Sequence, residues 1–356
     1  MRNVSVVGLA TLCLTACAGS ETSEPSDPGV AWRFLEQAAP LRAASCRDGV
    51  PFERPSPITL TAEAIELGDD AYVANALPGL DYVAGYVLTS DEDAFGGLSG
   101  LDAFPSGNLL AVTDKAAFVW ISLEEGDGFV PLETGYFAPM RDGYGAVITG
   151  KADGDSEGLA LQEGLAIVSF ERNHRIAAFD LEGCGINARA APVAAISGTG
   201  SGLTRALPEN AGAEGLALAG DALVAGIEED MDGAPAGLVM TNSVDFSLRL
   251  GAPTGLSLTG FDILDGTMYS VHRLYSPGVG NRIAIMSRAA TVSGETLEIG
   301  APNLLGLLTP DGVVDNFEAI AALPRPDGGV RLVIASDDNF SSRQRTLLMA
   351  FDVATD

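Results

Sequence analysis

The chain of 356 residues carries 20 Lys and Arg against 48 Asp and Glu, a formal net charge of −28. Phosphate-backbone binding draws its affinity from cationic side chains that release counterions, and with none in surplus nucleic acid is excluded as a partner. Apolar residues at 47% and charged residues at 19% describe a chain that folds around a core rather than a disordered one.

Residues 1–16 place one positive charge, Arg2, before an apolar run from Val4 to Leu14, the layout of a secretory signal too short to remain as a membrane span. Leu14-Thr15-Ala16-Cys17 resembles a bacterial lipobox, which implies cleavage before Cys17 and lipidation there. An ordinary signal with an incidental cysteine is the alternative. Ala18 after the cysteine points to the outer membrane, so the expected location is the bacterial envelope, facing periplasm or exterior, with the N-terminal lipid as the only membrane contact. Residues 17–29 hold the lipidated cysteine and a Ser, Glu, Pro and Gly-rich tether with little to bury. Cys46 and Cys184 are the remaining pair in an oxidising compartment and are expected to form one disulfide, two buried thiols being the other reading. Residues 30–78 form an N-terminal segment whose best helix candidate is Trp32 to Ala44.

From residue 79 to 356 the chain repeats itself. Ser99-Gly100-Leu101, Glu157-Gly158-Leu159, Glu214-Gly215-Leu216, Thr259-Gly260-Phe261 and Glu318-Ala319-Ile320 share the order hydroxyl or carboxylate, small, apolar, at spacings of 58, 57, 45 and 59. Each precedes a turn and an apolar run ending in polar residues, with Gly or Asp-Gly near the midpoint, so each repeat opens with a β-hairpin. A third strand follows (Phe118 to Leu123, Ile176 to Leu181, Gly237 to Thr241, Ile283 to Ser287, Thr346 to Val353), and a fourth is weaker. This pattern predicts an all-β chain folded as a β-propeller with five countable blades. Tyr82 to Leu88 supplies the last blade's missing outer strand and closes the ring; a sixth blade from residues 50–90 and a two-sheet sandwich stay open as alternatives.

In an antiparallel hairpin the start of the first strand lies beside the end of the second. The expected pairs are Ser99 with Asp114, Glu157 with Glu171, Glu214 with Glu228, Thr259 with His272 and Glu318 with Asp337, all at one mouth of the channel. Gathered carboxylates raise one another's pKa unless a cation sits among them, and a hard cation such as Ca²⁺ takes several oxygen ligands. Asp114, Glu157, Glu171, Glu214, Glu228, Glu318, Asp337 and Asp338 are therefore the metal candidates, with structural ties between blades as the competing role. Asp153-Gly154-Asp155-Ser156-Glu157-Gly158 opens like a calcium loop but fails as an EF-hand, because Gly164 stands where the closing Glu belongs. No G-x-S-x-G, HExxH or CxxC occurs. His174 is a candidate proton donor and Ser99 a nucleophile by position alone.

Phe95-Gly96-Gly97-Leu98-Ser99-Gly100-Leu101, Val168-Ser169-Phe170-Glu171-Arg172, Ala213-Glu214-Gly215-Leu216, Asp315-Asn316-Phe317-Glu318-Ala319-Ile320 and above all Ala335-Ser336-Asp337-Asp338-Asn339-Phe340 with Gln344-Arg345-Thr346-Leu347-Leu348 resemble the phytase-like family, esterase-like activity of phytase, over roughly residues 80–356. Pro253-Thr254-Gly255-Leu256 resembles a family Pro-Thr-Asp-Leu element without its acid. The resemblance implies a propeller-like envelope hydrolase acting on a small phosphoester or ester. A chain this acidic repels a polyanion, so Ca²⁺ would bridge the carboxylates and the substrate, while Arg172 and Arg273 contact substrate oxygens. The alternative is a noncatalytic lipid-anchored scaffold that binds a protein or envelope polymer.

Overall fold

A computed structural model describes residues 1, 30–126, 128–196, 202–203, 205–228, 233–251 and 253–354. The lipobox, Cys17 and the tether lie outside the described residues. Among the described residues no helix is long and apolar enough to cross a membrane.

The chain is mostly β, as the repeated hairpins predict. After helix α1 (Phe34–Ser45) come strand β1 (Ser56–Ile65), a short α2 (Asp70–Ala76) and β2 (Leu80–Ser90). The first repeat is β3 (Leu98–Ala103), β4 (Leu109–Thr113), β5 (Ala117–Leu123) and β6 (Pro131–Pro139). A single turn, α3 (Lys151–Gly154), leads to β7 (Ser156–Gln162), β8 (Leu165–Phe170) and β9 (Arg175–Asp180), then α4 (Leu181–Cys184) and β10 (Ala191–Ala195). The third repeat is β11 (Ala213–Ala219), β12 (Ala222–Ile227), β13 (Pro235–Val239) and β14 (Val244–Arg249). The fourth is β15 (Ser257–Leu264), β16 (Thr267–Ser276), β17 (Gly280–Ser293), β18 (Thr296–Ile299) and β19 (Asn303–Leu308). The last is β20 (Phe317–Pro324), β21 (Val330–Ser336) and β22 (Thr346–Val353).

Each repeat is an antiparallel sheet, and the first strands touch one another in the closed order β3, β7, β11, β15, β20 and back to β3. That ring makes the fold propeller-like. The last repeat has only three strands of its own, and β2 completes it by pairing with β22 (Tyr86 opposite Leu348). β1 then pairs with β2 on one side and β6 on the other, so the first and last repeats fuse into one nine-stranded sheet. Residues 50–90 thus give two strands to existing sheets rather than a four-stranded sheet of their own.

The middle strands are largely apolar because both their faces are covered. Along β4, Leu109 and Ala111 face the last repeat's Val333 and Leu348, while Leu110 and Val112 face the second repeat's Ala166 and Val168. Alternate side chains of one strand therefore enter two cores, which is why period-2 polarity is missing from the sequence. The N-terminal segment is part of this packing: Trp32 and Phe34 are buried against the second and third repeats, and Cys46 is bonded to Cys184 with a Cα separation of 5.5 Å.

Candidate metal centre at one channel mouth

The first motif residue is displaced from regular pairing in every repeat. Leu98 pairs with Thr113 and Gly100 with Val112, leaving Ser99 as an extra residue, and the same irregularity falls at Glu157, Glu214, Thr259 and Glu318. A bulge re-aims the side chain it carries. The second motif position must be small, because a Cβ on Gly100 would run into the carbonyl oxygen of Glu157, and one on Gly260 into that of Glu318. The third positions, Leu101, Leu159, Leu216, Phe261 and Ile320, meet at the axis and leave a void of about 10 Å³, so the channel is plugged.

Above that plug is a cavity of about 240 Å³. Its walls hold Asp114, Asp155, Glu157, Glu171, Glu214, Glu228, Glu318 and Asp337 together with Lys151, Arg172, Arg273, Asn210 and Asn339. Seven of the eight expected metal candidates come together here. The exception is Asp338, whose carboxylate accepts the N–H groups of Gly97 and Phe340 and the Thr346 hydroxyl, each at 3.0 Å. It ties the last repeat to the first and does not line the cavity.

The fourth hairpin departs from the expected pairing. Leu258, not Thr259, lies opposite His272, which makes Arg273 the counterpart of Asp114, Glu171, Glu228 and Asp337. His272 reads as the polar end of a strand but is fully buried, with Nε2 3.1 Å from the Ser270 hydroxyl. Burial, and secondarily the charge of Arg288, pushes its pKa down to about 3, so it stays neutral. Arg273 reaches both neighbouring repeats, with Nη2 3.2 Å from Glu228 and 3.4 Å from Glu318. Ser99 is also not a nucleophile in place: it is buried and its hydroxyl donates to the carbonyl of Ser156 at 2.5 Å. Thr259 does the same to Phe317, so the two hydroxyl motifs are ties between repeats. His174 stands outside the cavity walls, held to the Pro208 carbonyl at 3.0 Å, with its pKa lowered by burial.

Two wall residues, Asp155 and Lys151, are not among the expected metal or substrate residues. Asp155 precedes motif Glu157 by two positions, and its carboxylate meets Lys151 Nζ at 3.1 Å and Arg172 Nε at 2.8 Å. Lys151 also meets Asp114 at 2.8 Å. The corresponding Asn316 donates to Glu318 at 2.8 Å, whereas the charge of Asp155 raises the pKa of Glu157. Arg172 holds φ at 57°, a left-handed conformation uncommon for a residue with a side chain, which keeps its guanidinium at the cavity.

The three cations do not neutralise the site evenly. Burial is the largest cause raising the pKa of Glu157, followed by the like charges of Glu318, Glu171, Asp155 and Asp114. Glu214 is raised by burial and then by Glu157, Glu228 and Glu171. Glu171 is raised by burial despite accepting the Gly212 N–H at 2.8 Å. Asp337 is raised to about 6, again mainly by burial. Ligand oxygens of Asp155, Glu157 and Glu171, and of Glu171, Glu214 and Glu228, lie within 4.8 Å of one another. At metal–oxygen distances of about 2.3–2.6 Å, two ligands of one Ca²⁺ can be no more than about 5 Å apart, so both groups are close enough to share an ion. The donors are all oxygen, and Asp114 Oδ1 is buried without a hydrogen-bond partner. This chemistry fits a hard divalent cation rather than zinc or copper.

Three solved structures of low similarity share the chain's general course. They are the PQQ-bound aldose sugar dehydrogenase of Streptomyces coelicolor (13% identity, 76% of this chain and 98% of that one, TM-score 0.39), the pyranose dehydrogenase PQQ domain of Coprinopsis cinerea (9%, 85% and 98%, TM-score 0.42) and the calcium structure of the Trichoderma reesei family AA12 enzyme (11%, 85% and 99%, TM-score 0.38). Identities this low transfer no residue role. No curated protein matches the chain significantly. Residues 93–340, which contain all five motifs and every wall of the cavity, match the family described as phytase-like, esterase-like activity of phytase, and the chain belongs to that family.

Proposed function

We propose that the protein is a lipid-anchored envelope hydrolase, built as a five-bladed propeller, that cleaves a small phosphoester or ester with the aid of a divalent cation, Ca²⁺ foremost, at this channel mouth. The observation that carries the reading is the pair of oxygen groups, Asp155–Glu157–Glu171 and Glu171–Glu214–Glu228, that share Glu171 beside two guanidinium groups in one cavity. Glu171 with the carboxylates of either group would hold the ion. When bound, it supplies charge neutralisation for a developing oxyanion and lowers the pKa of an attacking water. Arg172 uses Nε for Asp155, which leaves its Nη groups to orient a phosphoryl or carboxyl oxygen by paired N–H donation. Arg273, which bridges Glu228 and Glu318 through Nη2, adds positive charge toward the substrate from the opposite side. The apolar plug beneath the cavity keeps water from entering along the axis. The disulfide accords with an oxidising compartment, and the Leu14–Cys17 lipobox with anchoring there.

The test is thermal unfolding of residues 30–356 in EDTA and in millimolar Ca²⁺, followed by hydrolysis of nitrophenyl phosphate and nitrophenyl acetate. A cation that binds only the native state raises its Tm. The expected result is a Ca²⁺-dependent rise and turnover, both lost in Glu157→Gln. No rise with any divalent cation would overturn the metal-assisted reading; binding without turnover of either ester class would favour the scaffold.

A further inference from the structure

Eight carboxylates line a cavity in which Lys151 and Arg172 meet on Asp155, while Arg273 stands with Glu228 and Glu318. Lys151 Nζ sits between Asp114 Oδ2 and Asp155 Oδ1, at 2.8 and 3.1 Å, where a metal shared by two carboxylates would sit. Asp114 Oδ1, on a residue only 6% exposed, is buried beside Gly97 and has no hydrogen-bond partner. Asp337 is close enough to feel both Asp114 and Lys151. The corner is thus a second oxygen-lined site that shares Asp155 with the Asp155–Glu157–Glu171 group and is already filled by an ammonium group.

We infer that Lys151 is a tethered cation that stands in for a second divalent ion, so that the mouth takes one metal rather than two. The inference deepens the metal reading above and rests on it for the first ion. The local chain supports the role. α3 is anchored by Gly154, whose missing Cβ lets it lie against Ile148 and Ala116, where an added Cβ would be 3.2 and 3.3 Å away. Gly150, with φ of 77°, turns the chain into α3 just before the lysine. The Lys151 side chain is half-exposed, so replacing it removes charge without opening a core cavity. An ammonium is a compact point charge that fills a carboxylate pair and adds no coordination sites of its own. It would leave substrate oxygens a fixed N–H donor on that side, opposite the exchangeable ion.

Calorimetric titration of Ca²⁺ into the purified wild-type protein and into Lys151→Met tests this, with circular dichroism to confirm folding. One ion per chain in wild type and two in Lys151→Met is the expected result. One in both, or two in wild type, overturns the role of Lys151 while leaving the metal reading standing. None in wild type and one in Lys151→Met overturns the one-metal inference together with the first site, and none in both removes both readings. If the variant does not fold, wild-type crystals soaked in Mn²⁺ decide the matter. A single anomalous peak at Glu171, with Lys151 still between Asp114 and Asp155, supports it, and a second peak between those aspartates overturns it.

Discussion

The two mouths of the channel are built from the same five strands and treat acids in opposite ways. At the metal-candidate mouth, motif glutamates crowd together with few hydrogen bonds and partial cationic compensation. At the other mouth, a cavity of about 610 Å³ contains Asp102 and Asp262, each three positions after a hydroxyl motif. These two acids are satisfied by backbone. Asp102 accepts the N–H groups of Ala103 and Leu161, both at 2.6 Å, and Asp262 accepts those of Ile263 at 2.6 Å and Ala322 at 2.7 Å. Each thereby ties its inner strand to the next. Where the motif begins with Glu, the same position holds Ala160, Ala217 or Ala321. A carboxylate bonded to two N–H groups is structural, whereas one surrounded by other carboxylates remains available to an external cation.

The comparison breaks most visibly by removing Glu157. Glu157→Gln is expected to abolish both Ca²⁺-dependent turnover and the Tm rise, a loss of about 2.7 kcal/mol of stabilisation when Ca²⁺ is at a hundred times its Kd. Asp262→Asn should leave both untouched, which activity assay and melting in parallel would show. Reduction or Cys46→Ser should cost about 3–4 kcal/mol, read by denaturant unfolding at equal Ca²⁺, because the bond closes a separation of 138 residues. Asp262→Ala should cost about 1–3 kcal/mol by leaving two buried N–H groups without their acceptor; a loss of Ca²⁺ binding with it would mean that the mouths are coupled.

The pH dependence sharpens the difference. The Asp262 pKa is raised from 3.8 to about 6, mainly by burial. A raised carboxyl pKa means that the folded state holds the proton more tightly than the unfolded chain. Its stabilising contribution is complete below 3.8 and is lost as pH rises through about 6. In EDTA the Tm should therefore rise as pH falls from 7 toward 4.5. Saturating Ca²⁺ should flatten the part that comes from Glu157 and Glu214, because the ion replaces their protons, and leave the part removed by Asp262→Asn. The smallest effect belongs to Ser99→Ala, about 1 kcal/mol for one interstrand hydrogen bond, with turnover unchanged.

Much of this was legible in the residues themselves. The five motifs, their hairpins and β2 as the closing strand follow from turn chemistry and apolar runs, which are local. The cluster of Glu157, Glu171, Glu214 and Glu228 follows from hairpin geometry applied to each repeat in turn. The place of β1 did not, because it pairs with strands of two different repeats and its sequence names neither partner. Asp338 looked equivalent to Asp337, yet adjacent residues on an extended chain face opposite ways, and only the turn into Phe340 decides which one faces the cavity.

What the sequence by itself determined is the repeat and the acid at the start of most of its copies, since alternation, small residues and turn glycines act over a few positions. Tertiary structure alone decided which charges are neutralised. Lys151 is 37 positions from Asp114 and Arg273 is 45 from both Glu228 and Glu318, and nothing along the chain states those meetings. It also decided that a one-residue bulge in each inner strand would aim the motif side chain and move the fourth repeat's partner from His272 to Arg273. Register is a property of two strands held together, and the Coulomb field in a cavity is a property of all the strands that wall it.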